Sequence, residues 1–412
     1  MTANPHDRDI LRHLAGSLRA HAERPEMAER KTRLKALNAL KPDRPVVLCF
    51  PEGSWPELVP PGECECEDPL LRGWELQMRG LVFWAEHIDD DNVLEPCFDV
   101  RWIVSDDGYG VEVPYHHGAD RGSYVWDPPL KDLPNDLDRL HVRHPTVDRA
   151  ETARQMDLAG ELFGDLLAPR LKGWFGWTCG LTMDAIHLIG LERLMLAMYD
   201  EPEALHRLMA FLRDDMMGYL SWFEAEGLVT LNNTNGYVGS GGVAYTDELP
   251  AADWKPGDPV RLKDVWGFAE SQETVGISPA MFAEFILPYQ LPLLERFGLN
   301  CYGCCEPVHT RWESIKRIPH LRRVSVSPWC DQGRMAELLG RDYVFSRKPN
   351  PAHVCASFNE DAIRADLRST LDVAGDGPLE IILKDTHTVQ GEPQRLGRWV
   401  KIAREEIDRR GR

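Results

Sequence analysis

The densest group of side chains able to do chemistry lies in LNCYGCCEPVHTRWE, from Leu299 to Glu313. Cys301, Cys304, Cys305, Glu306 and His309 fall close together there, straight after a helix-like run (Phe282 to Phe297) and a glycine. Thiolate, carboxylate and imidazole are ligands of the kind Zn²⁺ takes. Unpaired cysteine is also among the most buried residue types, so the same thiols can serve as core. The spacing is not that of a closed four-ligand site, and a metal, a reactive thiol and plain core all stay open. If the chain remains extended through residues 303–306, side-chain alternation puts Cys304 and Glu306 on one face and Cys305 on the other. Gly303 would make a turn cheap at that point.

Other candidate groups sit where apolar runs end. In FAESQET, Glu270, Gln272 and Glu273 offer a carboxylate pair that works as acid or base if one member is desolvated. In LNNTNGY, Asn232 and Asn235 are short amides suited to a ligand or to capping a turn. Trp174 and Trp177 in WFGWTCG would line an aromatic pocket. SRKPNP brings Arg347, Lys348 and Asn350, fit to meet a carboxylate, a phosphate or a corrinoid side chain. Asp385 and His387 lie in KDTHTVQGEP. The alternating acids and thiols from Glu63 to Glu67 read either as a metal loop or as solvated surface, and the adjacent His116 and His117 as a strand end with one ring in and one out.

These groups need a scaffold, and the chain supplies a repeating one. Two charged amphipathic helices fill the first 41 residues, and Val46 to Phe50 is a short apolar strand. From Thr146 onward, apolar strand-like runs alternate with helical ones: GLVTLNNTNGYVG, VWGFAES, LNCYGCC, LRRVSVSPW, DYVFSRKPN and LEIILKDT are each followed by a helix or a turn. Connections of that length suit βαβ units, and the count approaches eight, so the expected fold is α/β: a (β/α)₈ TIM barrel carrying an N-terminal helical and strand extension. The expected division is an extension and first strand over 1–60 and a barrel over 61–412, with a polar excursion around 93–145.

With 47 basic against 66 acidic residues, a net charge of −19 argues against nucleic acid and anionic membranes as partners. Ten cysteines in 412 residues do not make a disulfide scaffold, and no apolar run reaches the length of a membrane span. A reduced, cytoplasmic protein is the expectation, with monomer and homodimer both open.

LMLAMYDEPEALHRLM, the SPAMFAEFILPY segment, the Gly-Cys strand end after it and the closing Thr-His loop together resemble the uroporphyrinogen decarboxylase superfamily over roughly Thr146 to Arg409. Within it they resemble the corrinoid-related methyltransferase branch more than the porphyrinogen decarboxylases, whose arginine-rich N-terminal segment has only Arg79 in WELQMRG as a counterpart. The resemblance implies Zn²⁺ held by a His-x-Cys strand end and a late cysteine. Here Tyr302 stands at the histidine position, as a substrate contact, Cys304 at the cysteine position, and Asp385 and His387 near the late cysteine. The implied ligands are therefore Cys304 or Cys305, His387, and Asp385 or Glu306, with Glu306 also a catalytic candidate beside Glu270 and Glu273. The implied reaction moves a methyl group between a small organic molecule and a corrinoid on a separate partner protein, or a thiol. No Asp-x-His-x-x-Gly cobalt-ligand motif occurs in the chain itself. A metal-independent decarboxylase using Arg347, Lys348 and a carboxylate, and a non-catalytic barrel, are the alternatives.

Overall fold

The computed structural model describes residues 3–118 and 124–411; part of the excursion, 119–123, lies outside them. Eight strands run in parallel pairs: β1 Val46–Cys49, β2 Cys97–Arg101, β3 Ala168–Lys172, β4 Trp266–Ala269, β5 Leu299–Tyr302, β6 Leu321–Val326, β7 Val344–Arg347 and β8 Leu379–Leu383. Six of them form one sheet in the order β1-β8-β7-β6-β5-β4, while β2 and β3 pair separately. Every residue of β1, β4, β5, β7 and β8 is buried. That two-sided burial is why these strands read as continuous apolar runs rather than alternating ones. Helices such as Gln332–Leu339, Glu360–Ala374 and Gln394–Arg410 connect or follow the strands and cover the sheet.

An unbroken eight-strand ladder is not what the backbone hydrogen bonds form, and side chains explain both interruptions. At the outer edge of β1, Val47 N–H donates to Asp91 Oδ2 and Cys49 N–H to Asp90 Oδ2, both at 2.8 Å. At the outer edge of β4, Asn232 takes a strand's place: its Oδ1 accepts from Trp266 N–H at 2.9 Å and its Nδ2 donates to Trp266 O at 3.1 Å. Carboxylates and an amide thus satisfy edge groups that a neighbouring strand would otherwise pair. The strand expected over GLVTLNNTNGYVG is consequently absent, apart from the two-residue pairing of Tyr237–Val238 with Gly242–Val243. The segment still lies close against the end of β3, where a Cβ on Gly173 would come within 2.2 Å of Leu228 O.

The helical run expected from Phe282 to Phe297 is two helices, Pro279–Phe285 and Leu287–Leu294, parted at Ile286. Pro288 has no N–H to give to the carbonyl four residues back. The N-terminal helix Pro5–Ala22 packs on Pro69–Phe83 and Arg149–Phe163 around Leu11, Trp74, Phe98 and Phe163, a core of its own. In the excursion, Val104–Ser105 pairs antiparallel with Thr146–Val147, and Tyr115–His117 with Tyr124–Trp126. His116 and His117 are both exposed, contrary to the one-in, one-out expectation, because this small hairpin has solvent on both sides of them. Among the described residues no helix is long and apolar enough to cross a membrane.

Candidate active site

The strand β5 ends at Tyr302, and Gly303 adopts a φ of 89°, a conformation that L side chains rarely take. The chain turns there. Cys304 and Cys305 therefore do not take opposite faces, as an extended strand would require, but bring their sulfurs to 3.7 Å of each other. That distance is well beyond a disulfide bond, and all ten cysteines are unpaired. The turn is held by Glu306, fully buried, whose Oε2 accepts from Cys304 N–H at 2.8 Å and whose Oε1 accepts from Ser271 N–H at 2.9 Å. One carboxylate thus ties the loop after β5 to the loop after β4.

A chain of donors leads to the Cys304 sulfur. Lys384, at the end of β8, donates from Nζ to Ser240 Oγ at 3.2 Å, and Ser240 Oγ donates to Cys304 Sγ at 3.3 Å. The Cys305 thiol, the Lys384 ammonium and the Ser240 hydroxyl pull the Cys304 thiol below its ordinary range against the effect of burial. Cys305, in contact with that sulfur, is pushed well up. Burial works against the charge on Lys384, but Tyr237, Cys304, Glu52 and Asp385 outweigh it and keep the ammonium protonated. Lys384, Ser240 and Glu52 are not apparent from motif spacing; the only signals are a lysine beside Asp385 and a serine inside a run of glycines.

Glu270 is fully buried at the end of β4, with burial, Glu273 and Glu306 all raising its carboxyl well above the usual range. Its Oε2 accepts from Gln272 N–H at 2.9 Å, whereas Oε1 has no hydrogen-bond partner. Glycine is required at 180, where a Cβ would stand 2.7 Å from that Oε1. Glu273 accepts from Thr182 Oγ1 at 2.6 Å. Tyr302 is buried and bonded to Gln290 and Ser271.

The remaining expected residues divide into two groups. Trp174, Trp177, Asn232 and Asn235 all line a cavity of 1020 Å³, with Trp55, Trp102, Tyr237 and Phe268 among its other walls. Trp177 lies against Phe268, and Trp174, 45 % exposed, has the Arg101 guanidinium over its ring. Cys304 belongs to the same apolar cluster as Val238 and Phe268 of this cavity's wall, while neither thiol is itself part of the lining. Arg347 and Lys348 are instead buried in bonds within the protein: Arg347 to Asp366 and Ser327 O, Lys348 to Ser346. Asn350 caps the next turn through Ala352 N–H. Asp385, at φ 57°, accepts nothing from the thiols but lies near enough to raise Cys305. His387 is exposed and packs its ring on Gly53, where a Cβ would meet Nδ1 at 2.9 Å. Cys301 accepts from Arg323 and lies against Gly239. The loop from Glu63 is fixed by buried Glu75, and burial pushes the Cys66 thiol up to about 12.

Among the described residues, one group of three His, Cys, Asp or Glu side chains brings its donor atoms within 4.8 Å of one another, and it is Asp107, His141 and His144, a cluster able to hold a metal ion.

No family model matches the chain, and no curated protein matches it. Among solved structures, it is similar to a methyltransferase from Methanosarcina mazei at 12 % identity and a TM-score of 0.52, over 91 % of this chain and 98 % of that one. At that identity the likeness shows a shared fold, related to that of an enzyme.

Proposed function

We propose that this chain is a zinc-dependent methyltransferase, moving a methyl group between a small organic molecule in the 1020 Å³ cavity and a corrinoid carried on a separate protein or a thiol. The observation that carries the reading is the Cys304–Cys305 sulfur separation of 3.7 Å. Two thiolates bound tetrahedrally to one zinc at about 2.3 Å stand about 3.8 Å apart. The pair has the spacing of two corners of such a site. Among the described residues no carboxylate or imidazole donor stands within 4.8 Å of both sulfurs, so a third protein ligand, Asp385 or His387, would come in by a shift of the loop after β8. The similarity to a methyltransferase fold supports the class of reaction.

When bound, zinc supplies Lewis acidity, stabilising negative charge on the heteroatom that loses or accepts the methyl group. The protein's own groups do the rest. Cys305, Lys384 and Ser240 favour the thiolate form of Cys304. Glu306 fixes the backbone that presents both sulfurs. Burial, Glu273 and Glu306 favour the protonated form of Glu270, whose Oε1 lies behind Gly180, two residues from Thr178 of the cavity wall. The aromatic walls exclude water and orient an apolar substrate.

The test uses methylcobalamin with a panel of small thiols, following loss of its visible spectrum. Conversion by zinc-loaded protein, lost on chelation and in Cys304→Ser, is the expected result. Equal conversion by the wild type and a Cys304→Ser/Cys305→Ser protein would contradict the reading.

A further inference from the structure

We propose that Asp107, His141 and His144 form a second cation site, for a borderline divalent metal such as Zn²⁺ or Co²⁺, on the excursion and separate from the thiol pair. The two arms that carry these residues are fastened together. Val104 and Ser105 pair with Val147 and Thr146, Asp148 N–H donates to Ile103 O at 2.9 Å, and His141 N–H donates to Tyr109 O at 3.1 Å. The donor atoms of the three side chains then lie within 4.8 Å of one another, and the two imidazole rings are 5.3 Å apart at 33°.

Hydrogen bonds hold both imidazoles in place. His144 Nδ1 lies 2.8 Å from Asp107 Oδ2, and the other oxygen of that carboxylate takes His144 backbone N–H at 2.8 Å. His141 Nδ1 lies 2.9 Å from Val142 O. A cation in the cluster would take the place of the proton between His144 Nδ1 and Asp107 Oδ2, with a nitrogen of His141 as the third donor. Gly110, at φ 82°, is part of the arrangement: a Cβ there would stand 2.8 Å from His141 Nε2 and 2.4 Å from Cδ2. The intervening cation, Arg143, is turned away and occupied, bonded to Asp215 at 2.7 Å and stacked on Tyr219 at 4.4 Å. Two imidazole nitrogens and one carboxylate select a borderline metal over Ca²⁺ or Mg²⁺, with water completing the coordination.

The experiment titrates Zn²⁺ and, in parallel, Co²⁺ into three proteins: wild type, His141→Ala/His144→Ala and Cys304→Ser/Cys305→Ser, each checked for folding by circular dichroism. The cysteine variant should still bind one equivalent, and its Co²⁺ spectrum should lack sulfur-to-cobalt charge transfer. The histidine variant should lose that equivalent. Asp107→Asn should weaken it, because a neutral amide then stands where the charged ligand did. A Zn²⁺ isotherm unchanged by the histidine substitutions, or no binding by the cysteine variant, would overturn the proposal. Because the thiol pair is absent from the cysteine variant, neither result depends on whether that pair holds metal.

Discussion

Replacing Glu306 by glutamine separates a positioning carboxylate from one that transfers protons. The native side chain is fully buried and each oxygen accepts one backbone N–H, from Ser271 at 2.9 Å and from Cys304 at 2.8 Å. Glutamine has one acceptor oxygen; its NH₂ would face the other N–H and leave it unpaired. An unsatisfied buried donor costs about 1–3 kcal/mol, so Glu306→Gln should lose roughly that much and Glu306→Ala, with two orphaned donors, roughly 2–6 kcal/mol. Because Cys304 N–H is one of the two, the turn at Gly303 should loosen and zinc affinity should fall with stability. The assay is urea unfolding followed by circular dichroism, paired with zinc competition against a chromophoric chelator. A glutamine variant with the wild-type unfolding midpoint and full zinc affinity, but no activity, would refute the positioning argument and make Glu306 a proton carrier.

Lys384→Met should raise the Cys304 thiol toward its ordinary range, since the ammonium acts on the sulfur directly and through Ser240; the pH profile of its alkylation should move to higher pH, and an unmoved profile would remove Lys384 from the site. Asp90, buried, has its carboxyl raised from 3.8 to about 7 by burial. A raised carboxyl stabilises the fold below the unfolded pKa and loses that contribution as pH rises through the folded one, so between pH 5 and pH 8 the wild type should lose about 2–3 kcal/mol more than Asp90→Asn. Parallel losses in the two proteins would show that Asp90 does not titrate in this window.

The parallel strands were legible because burial on both faces writes itself as unbroken apolar runs, as in VVLC and LEIIL. The missing strand at GLVTLNNTNGYVG was not, because Asn232 substitutes a side-chain amide for a backbone ladder, and composition does not distinguish the two. At the thiols, the residue types were readable but their geometry was not: it turns on one backbone angle at Gly303 and on a carboxylate two residues beyond Cys304. Lys384 and Ser240 meet only through the fold, 144 positions apart. The same holds for Asp107 and the two histidines, each an ordinary loop residue until the arms pair.

Two sulfurs sharing one zinc are the centre of the proposed chemistry. Zinc K-edge X-ray absorption on zinc-loaded His141→Ala/His144→Ala protein, which lacks the second site, reads the ligands of the first alone. The expected spectrum has two sulfur neighbours at about 2.3 Å together with lighter nitrogen or oxygen neighbours. A first shell of nitrogen and oxygen only, or a spectrum that Cys304→Ser/Cys305→Ser leaves unchanged, would contradict it.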